Sequence, residues 1–94
     1  MTVTVKFMGA LRHASNVEKL ALNCSGQISV KEMIDEVSKD LPELKRSLID
    51  AQAEDSRPNA LILVNGKEIS ALNGLETGLN DGDEVVLVPV VHGG

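Results

Sequence analysis

The sequence predicts an α+β domain: a mixed sheet of four or five strands with one main helix on one face. Three observations carry that reading. Residues 2–7 alternate polar and apolar with period two, as a half-buried strand does. Residues 29–41 carry an apolar stripe at helical spacing. Residues 60–64 and 84–89 form strongly apolar runs bounded by turn residues.

The elements follow in order. Val3, Val5 and Phe7 share one strand face. A loop spans 9–15, and 17–22 forms a second strand that pairs with the first as an antiparallel hairpin, broken at Ser25-Gly26-Gln27. Ser29 caps the helix, and Glu32, three residues on, completes a capping box. Val30, Met33, Ile34, Val37 and Leu41 make its buried stripe, and Pro42 ends or kinks it. Leu44, Leu48 and Ile49 predict a second helical stretch of about two turns, followed by a loop at 54–59. Residues 60–64, apolar throughout, read as a strand inside the sheet, but alternation gives them no phase. Asn65-Gly66 is a strong hairpin turn signal, and 67–69 return as a short strand. Leu72, Leu75 and Leu79 anchor the loop that follows. Asp81-Gly82-Asp83 turns the chain into the last strand, 84–89.

Ninety-four residues make one domain with one modest core. Phe7 is the only aromatic residue, so the core is aliphatic. A net charge of −5 disfavours nucleic acid and anionic membrane as partners, and no aromatic platform exists for stacking bases. Cys24 is the only cysteine, so no internal disulfide forms. The N-terminus lacks the pattern of a signal or transit peptide, and the longest apolar run falls far short of the ~20 residues a membrane span needs. The expected location is the cytoplasm. The division expected is a domain over 1–90 and a tail over 91–94.

The order strand-strand-helix-strand-strand-strand, with a helical crossover, makes the first and last strands parallel neighbours in mid-sheet. This is the β-grasp, or ubiquitin-like, arrangement. Three further features sharpen it: Val64-Asn65-Gly66, the 81–85 stretch DGDEV that opens the final strand, and the terminal Gly93-Gly94. With these the whole chain resembles the MoaD/ThiS group of ubiquitin-like proteins, and the long 40s-to-50s segment resembles the archaeal small modifier branch.

The resemblance implies a carrier, not an enzyme: a substrate of an E1-like adenylating enzyme. ATP activates the Gly94 carboxylate as an acyl adenylate. Sulfur transfer then gives a thiocarboxylate that serves molybdopterin, thiazole or thiolated tRNA. In the modifier branch the activated carboxylate is joined to lysines of target proteins. The partners implied are the E1-like enzyme, the large subunit of a molybdopterin synthase, and target-protein lysines. ATP and magnesium belong to the E1-like partner, so the chain itself holds no cofactor or metal. Gly94 is the reacting residue and Gly93 lets the tail thread a narrow channel, because neither carries a Cβ. Val86 and Val88, pointing away from the helix, join Val90, Val91 and His92 as the partner-contacting set. A different class stays open on the residues alone: a β-grasp interaction module with an inert tail, for which Val86→Asp or Val88→Asp is the damaging change. A separate, plainer reading of Val86 and Val88 buries them under a loop or in an oligomer contact.

Other residues read more plainly. Two histidines far apart with one cysteine make no zinc site. His13, beside Arg12, is solvated, and Cys24 is a packed small residue. Asp81 and Asp83 serve turn chemistry, and the acidic pairs Asp35-Glu36 and Glu54-Asp55 are solvated faces. No nucleophile-base pair or phosphate loop is visible. Lys6, Lys19, Lys31, Lys39, Lys45 and Lys67 are equivalent candidates for self-conjugation.

Overall fold

The computed structural model describes residues 1–39, 41–42 and 60–89. The second helical stretch, the 54–59 loop, and residues Val90 to Gly94 lie outside the described residues.

A five-stranded sheet has the spatial order β2-β1-β7-β4-β5, where β1 is Thr2–Phe7, β2 Lys19–Asn23, β4 Ala60–Val64, β5 Lys67–Glu68 and β7 Glu84–Pro89. β1 pairs antiparallel with β2 and parallel with β7, and β7 pairs antiparallel with β4. The helix α2, Val30–Ser38, makes the crossover and covers one face. This is the β-grasp arrangement expected, and the first and last strands are parallel neighbours inside the sheet. A separate two-stranded ladder joins β3, Ile28–Ser29, to β6, Gly78–Leu79.

The core is one aliphatic layer between α2 and the sheet. Val3, Val5 and Phe7 from β1 are fully buried, as are Val85 from β7 and Val30 and Met33 from α2. Ala60, Ile62 and Val64 supply the same layer from β4. The capping box at Ser29 forms as expected: the Glu32 N–H donates to Ser29 Oγ at 3.1 Å, and the Ser29 N–H donates to Glu32 Oε1 at 2.9 Å. Leu41 is half-buried against the core, and α2 ends at Ser38, ahead of Pro42. No helix among the described residues is long and apolar enough to cross a membrane.

Four local expectations are corrected. Residues 10–15 are a short helix, α1, Ala10–Ser15, rather than loop. It buries Leu11, and beside its last turn the single Ser15 hydroxyl proton has two carbonyl acceptors in reach, Val17 at 2.9 Å and Arg12 at 3.2 Å. The second strand starts at Lys19, because Ser15 and Asn16 (φ 62) are still turning the chain before Val17. Ile69 opens a 3₁₀ turn, Ile69–Ala71, instead of ending a strand; the Ser70 N–H donates to the Glu68 carboxylate, which caps that turn. Leu72 is no anchor: it is 37% exposed, while Leu79 is fully buried and Leu75 partly so.

The two motifs around Asn65 and Asp83 touch each other. Asn65 (φ 51) and Gly66 (φ 86) both hold positive φ, the requirement of a type I′ hairpin turn. Asn65 Nδ2 donates to Asp83 Oδ1 at 2.9 Å, and the Glu84 N–H donates back to Asn65 Oδ1 at 3.0 Å. Asp83 Oδ2 accepts the Asn80 N–H at 2.8 Å. Asp81 reaches the other neighbour, accepting the Thr2 N–H at 2.8 Å. The stretch that starts β7 is thereby bonded to the strands on both of its sides.

The phase of β4 sets a test of the packing. Ile62 is 2% exposed and Leu61 is 39% exposed on the opposite face. Ile62→Ala is expected to cost about 2–5 kcal/mol in urea unfolding, and Leu61→Ala under about 1 kcal/mol.

Candidate functional site

The face of the sheet away from α2 carries the exposed and half-buried positions of the strands. Its residues follow from strand alternation. β1 presents Thr2, Thr4 and Lys6, β7 presents Glu84, Val86 and Val88, and β4 presents Leu61 and Leu63. Each alternates with a buried residue: Val85 and Leu87 on β7, Ala60, Ile62 and Val64 on β4. The sequence left the phase of 60–64 open; the structure puts Leu61 and Leu63 on this outer face.

Register then brings the apolar residues together. Leu63 lies opposite Val86, and Leu61 opposite Val88, on the β4 side of β7. Lys6 lies opposite Val86 on the β1 side. Val86, Val88 and Leu63 are half-buried by these neighbours, and Leu61 is exposed. Met8, 41% exposed, continues the same strand path, since its N–H donates to the Leu87 carbonyl at 3.0 Å. An apolar strip of Leu63, Val86, Leu61, Val88 and Met8 therefore runs toward the end of β7, from which residues 90–94 continue. Met8, Leu61 and Leu63 were not singled out from the sequence. A burial phase for 60–64, read from the pairing with β7, was the signal needed.

Charge borders the strip. Lys6 Nζ sits 3.1 Å from Glu84 Oε2, both side chains being roughly half exposed. Such a surface pair contributes little to stability. Lys19 stands opposite Lys6 in register on β2. On the far side Glu68 stands opposite Leu63. The Ser70 hydroxyl and then its backbone N–H donate to the Glu68 carboxylate, and both hold its carboxyl below the usual glutamate range.

The remaining candidates are placed as follows. Val90, Val91, His92, Gly93 and Gly94 lie outside the described residues. His13 is exposed on α1. Cys24 is half-buried one residue past β2, where its N–H donates to the Met1 carbonyl and its own carbonyl accepts from the Met1 ammonium. That extends the β1–β2 ladder by one residue. Among the described residues, no group of three or more His, Cys, Asp or Glu side chains could hold a metal ion. What this surface offers chemically is an apolar strip bordered by the Lys6–Glu84 ion pair.

Comparison with known proteins agrees with this geometry. The ThiS family model matches residues 5–94. Ubiquitin-related modifier 1 of Schizosaccharomyces pombe is 29% identical, with all of both chains aligned. The solution structure of small archaeal modifier protein 1 from Methanosarcina acetivorans superposes with a TM-score of 0.78 at 31% identity, over 99% of this chain and 96% of that one. A chain of the Amycolatopsis orientalis BexX/CysO complex gives 0.73 at 30% identity, over 98% and 99%.

Glu68 supplies a pH test. Its pKa is lower folded than unfolded, so its contribution is present above the unfolded pKa and is lost as pH falls through the folded one. A carboxyl-carbon NMR titration is expected to place Glu68 below an ordinary glutamate. Ser70→Ala should return it only part of the way, because the backbone N–H of residue 70 still donates.

Proposed function

The chain belongs to the ThiS family, and on that premise we propose that it is a ubiquitin-like carrier protein whose Gly94 carboxylate is activated by an E1-like adenylating enzyme. One observation carries the reading: among the described residues an apolar strip along β7 and β4, exposed at Leu61 and half-buried at Leu63, Val86 and Val88, runs to Pro89, from which the tail continues in sequence. Exposed apolar patches of this kind mark partner sites. The relative from Amycolatopsis orientalis, solved as one part of the BexX/CysO complex, supports a domain built for assembly with a partner.

A carboxylate resists attack because its leaving group would be oxide. In the proposed step a Gly94 carboxylate oxygen attacks the α-phosphorus of ATP, and pyrophosphate departs. The acyl adenylate then has AMP as leaving group. Hydrosulfide adding to the acyl carbon expels AMP, loses its proton and leaves a thiocarboxylate, the form that serves thiolation of molybdopterin, thiazole or tRNA. A lysine amine adding instead loses a proton, expels AMP and leaves an isopeptide bond. The partner binds ATP and magnesium; this chain contributes the docking face and the reacting carboxylate. Gly93 and Gly94 let the tail pass through a channel too narrow for side chains. The proposed contact set is Leu61, Leu63, Val86 and Val88, continued by Val90, Val91 and His92. The proposed place of action is the cytoplasm, with a molybdopterin synthase large subunit and target-protein lysines as downstream partners. The domain proper is proposed to span 1–90, with 91–94 as the working tail.

The reading is tested by reconstitution with the E1-like enzyme from the same cells, ATP and a sulfur donor. Deleting Gly93 and Gly94 should abolish AMP formation and leave the unfolding midpoint unchanged. Leu61→Asp with Val86→Asp should raise KM about tenfold or more, the scale of a hot-spot loss. If the tail deletion is silent and only the sheet-face change disrupts function, the chain is a binding module with an inert tail.

A further inference from the structure

Gly9 links β1 to α1 and stands beside the last described residue of β7. Its backbone sits at φ 52, ψ −132, a region that residues with a Cβ rarely adopt. A Cβ placed there would lie 3.0 Å from Pro89 Cγ and 3.6 Å from Pro89 Cδ. The backbone around it is fixed from both directions. The Met8 N–H donates to the Leu87 carbonyl at 3.0 Å, and the Gly9 carbonyl accepts the Arg12 N–H at 3.0 Å. On its other side Pro89 stands opposite Ala60 of β4. The proline ring restricts φ to near −65°, so the residue before the tail has only ψ left to vary.

Gly9 and Ala60 therefore flank Pro89, whose ring fills the space that a side chain at position 9 would need. We propose that the Gly9–Pro89 contact aims the C-terminal tail, and that Gly9 is a positioning residue for the reaction at Gly94. The proposal rests on the carrier reading for its chemistry. Its structural part, that residue 9 sets the direction in which residue 90 leaves the sheet, stands apart from it. A docked domain whose tail leaves at the wrong angle still binds its partner, but it brings the carboxylate to the α-phosphate less often. The loss should fall on kcat rather than KM.

The experiment compares the full chain with Gly9→Ala, Pro89→Ala and the double variant. With the E1-like enzyme, ATP-pyrophosphate exchange should lose about tenfold or more in kcat for Gly9→Ala, the scale of a small misplacement of reacting atoms. KM should move by less than about twofold. Pro89→Ala removes the ring atoms that a Cβ at position 9 meets. Adding Gly9→Ala to it should therefore lower kcat no further, although Tm falls in both Gly9 variants because the backbone strain remains. A purely structural role would lower Tm and leave the kcat of the folded fraction intact. Additive losses in kcat, or a loss in KM alone, overturn the proposal. If the unaltered chain is not activated at all, the carrier reading fails, and the geometry is judged by amide NMR. Gly9→Ala should shift Val90, and the double variant should match Pro89→Ala. An unmoved Val90 overturns it. Should Gly9→Ala not fold, Pro89→Ala alone decides, being expected to shift Val90 and lower kcat without unfolding the domain.

Discussion

The parallel pairing of β1 with β7 is the constraint on which the rest of the molecule depends. Parallel neighbours cannot be joined by a tight turn, so a crossover is obligatory, and α2 is part of it. The pairing puts the buried residues of both strands, Val3, Val5 and Phe7 beside Val85 and Leu87, under that helix. It also sends the chain's last strand through mid-sheet instead of along an edge. The end of β7 at Pro89 therefore lies next to Gly9, with Ala60 of β4 on the other side. A strand at the edge would have a neighbour on one side only.

Two of the three motifs that carry the family resemblance do their work far from the tail. Asn65, Asp81, Asp83 and Glu84 gather where β7 begins, bonded to one another or to Thr2. The tail starts at the opposite end of a six-residue strand, roughly 20 Å away at about 3.3 Å per residue. Their physical role is register. They fix which residue of β7 faces which residue of β1 and β4. A slip of one residue would turn Val86 and Val88 into the core and Val85 and Leu87 out of it. The outward phase of Val86 and Val88 is set at the far end of the strand.

Much of this was legible in the sequence because the signals were local and redundant. Val3, Val5 and Phe7 declare their face by alternation, α2 by its stripe and capping box, and the hairpin turn by Asn65-Gly66. What was hidden depended on partners distant in sequence. The phase of 60–64 comes only from pairing with β7. The helix α1 is one and a half turns long and closed by a serine hydroxyl, too short for a periodic stripe to show. β3 and β6 have two residues each, and their ladder exists only because α2 brings Ile28 to Leu79. Leu72 looked like an anchor because hydrophobicity alone does not say which leucine of a loop faces inward. Gly9 looked like an ordinary loop glycine until Pro89 was placed against it.

The central claim is that the carboxylate of Gly94 is the reacting group, and the most direct measurement is mass spectrometry of the protein taken from its own cells. The account predicts an oxygen-to-sulfur mass increase confined to the C-terminal peptide, Gly-Gly branches derived from this tail on lysines of other proteins, or both. A C-terminal peptide that is wholly unmodified, with no branches and no acyl adenylate on incubation with the E1-like enzyme and ATP, would contradict it.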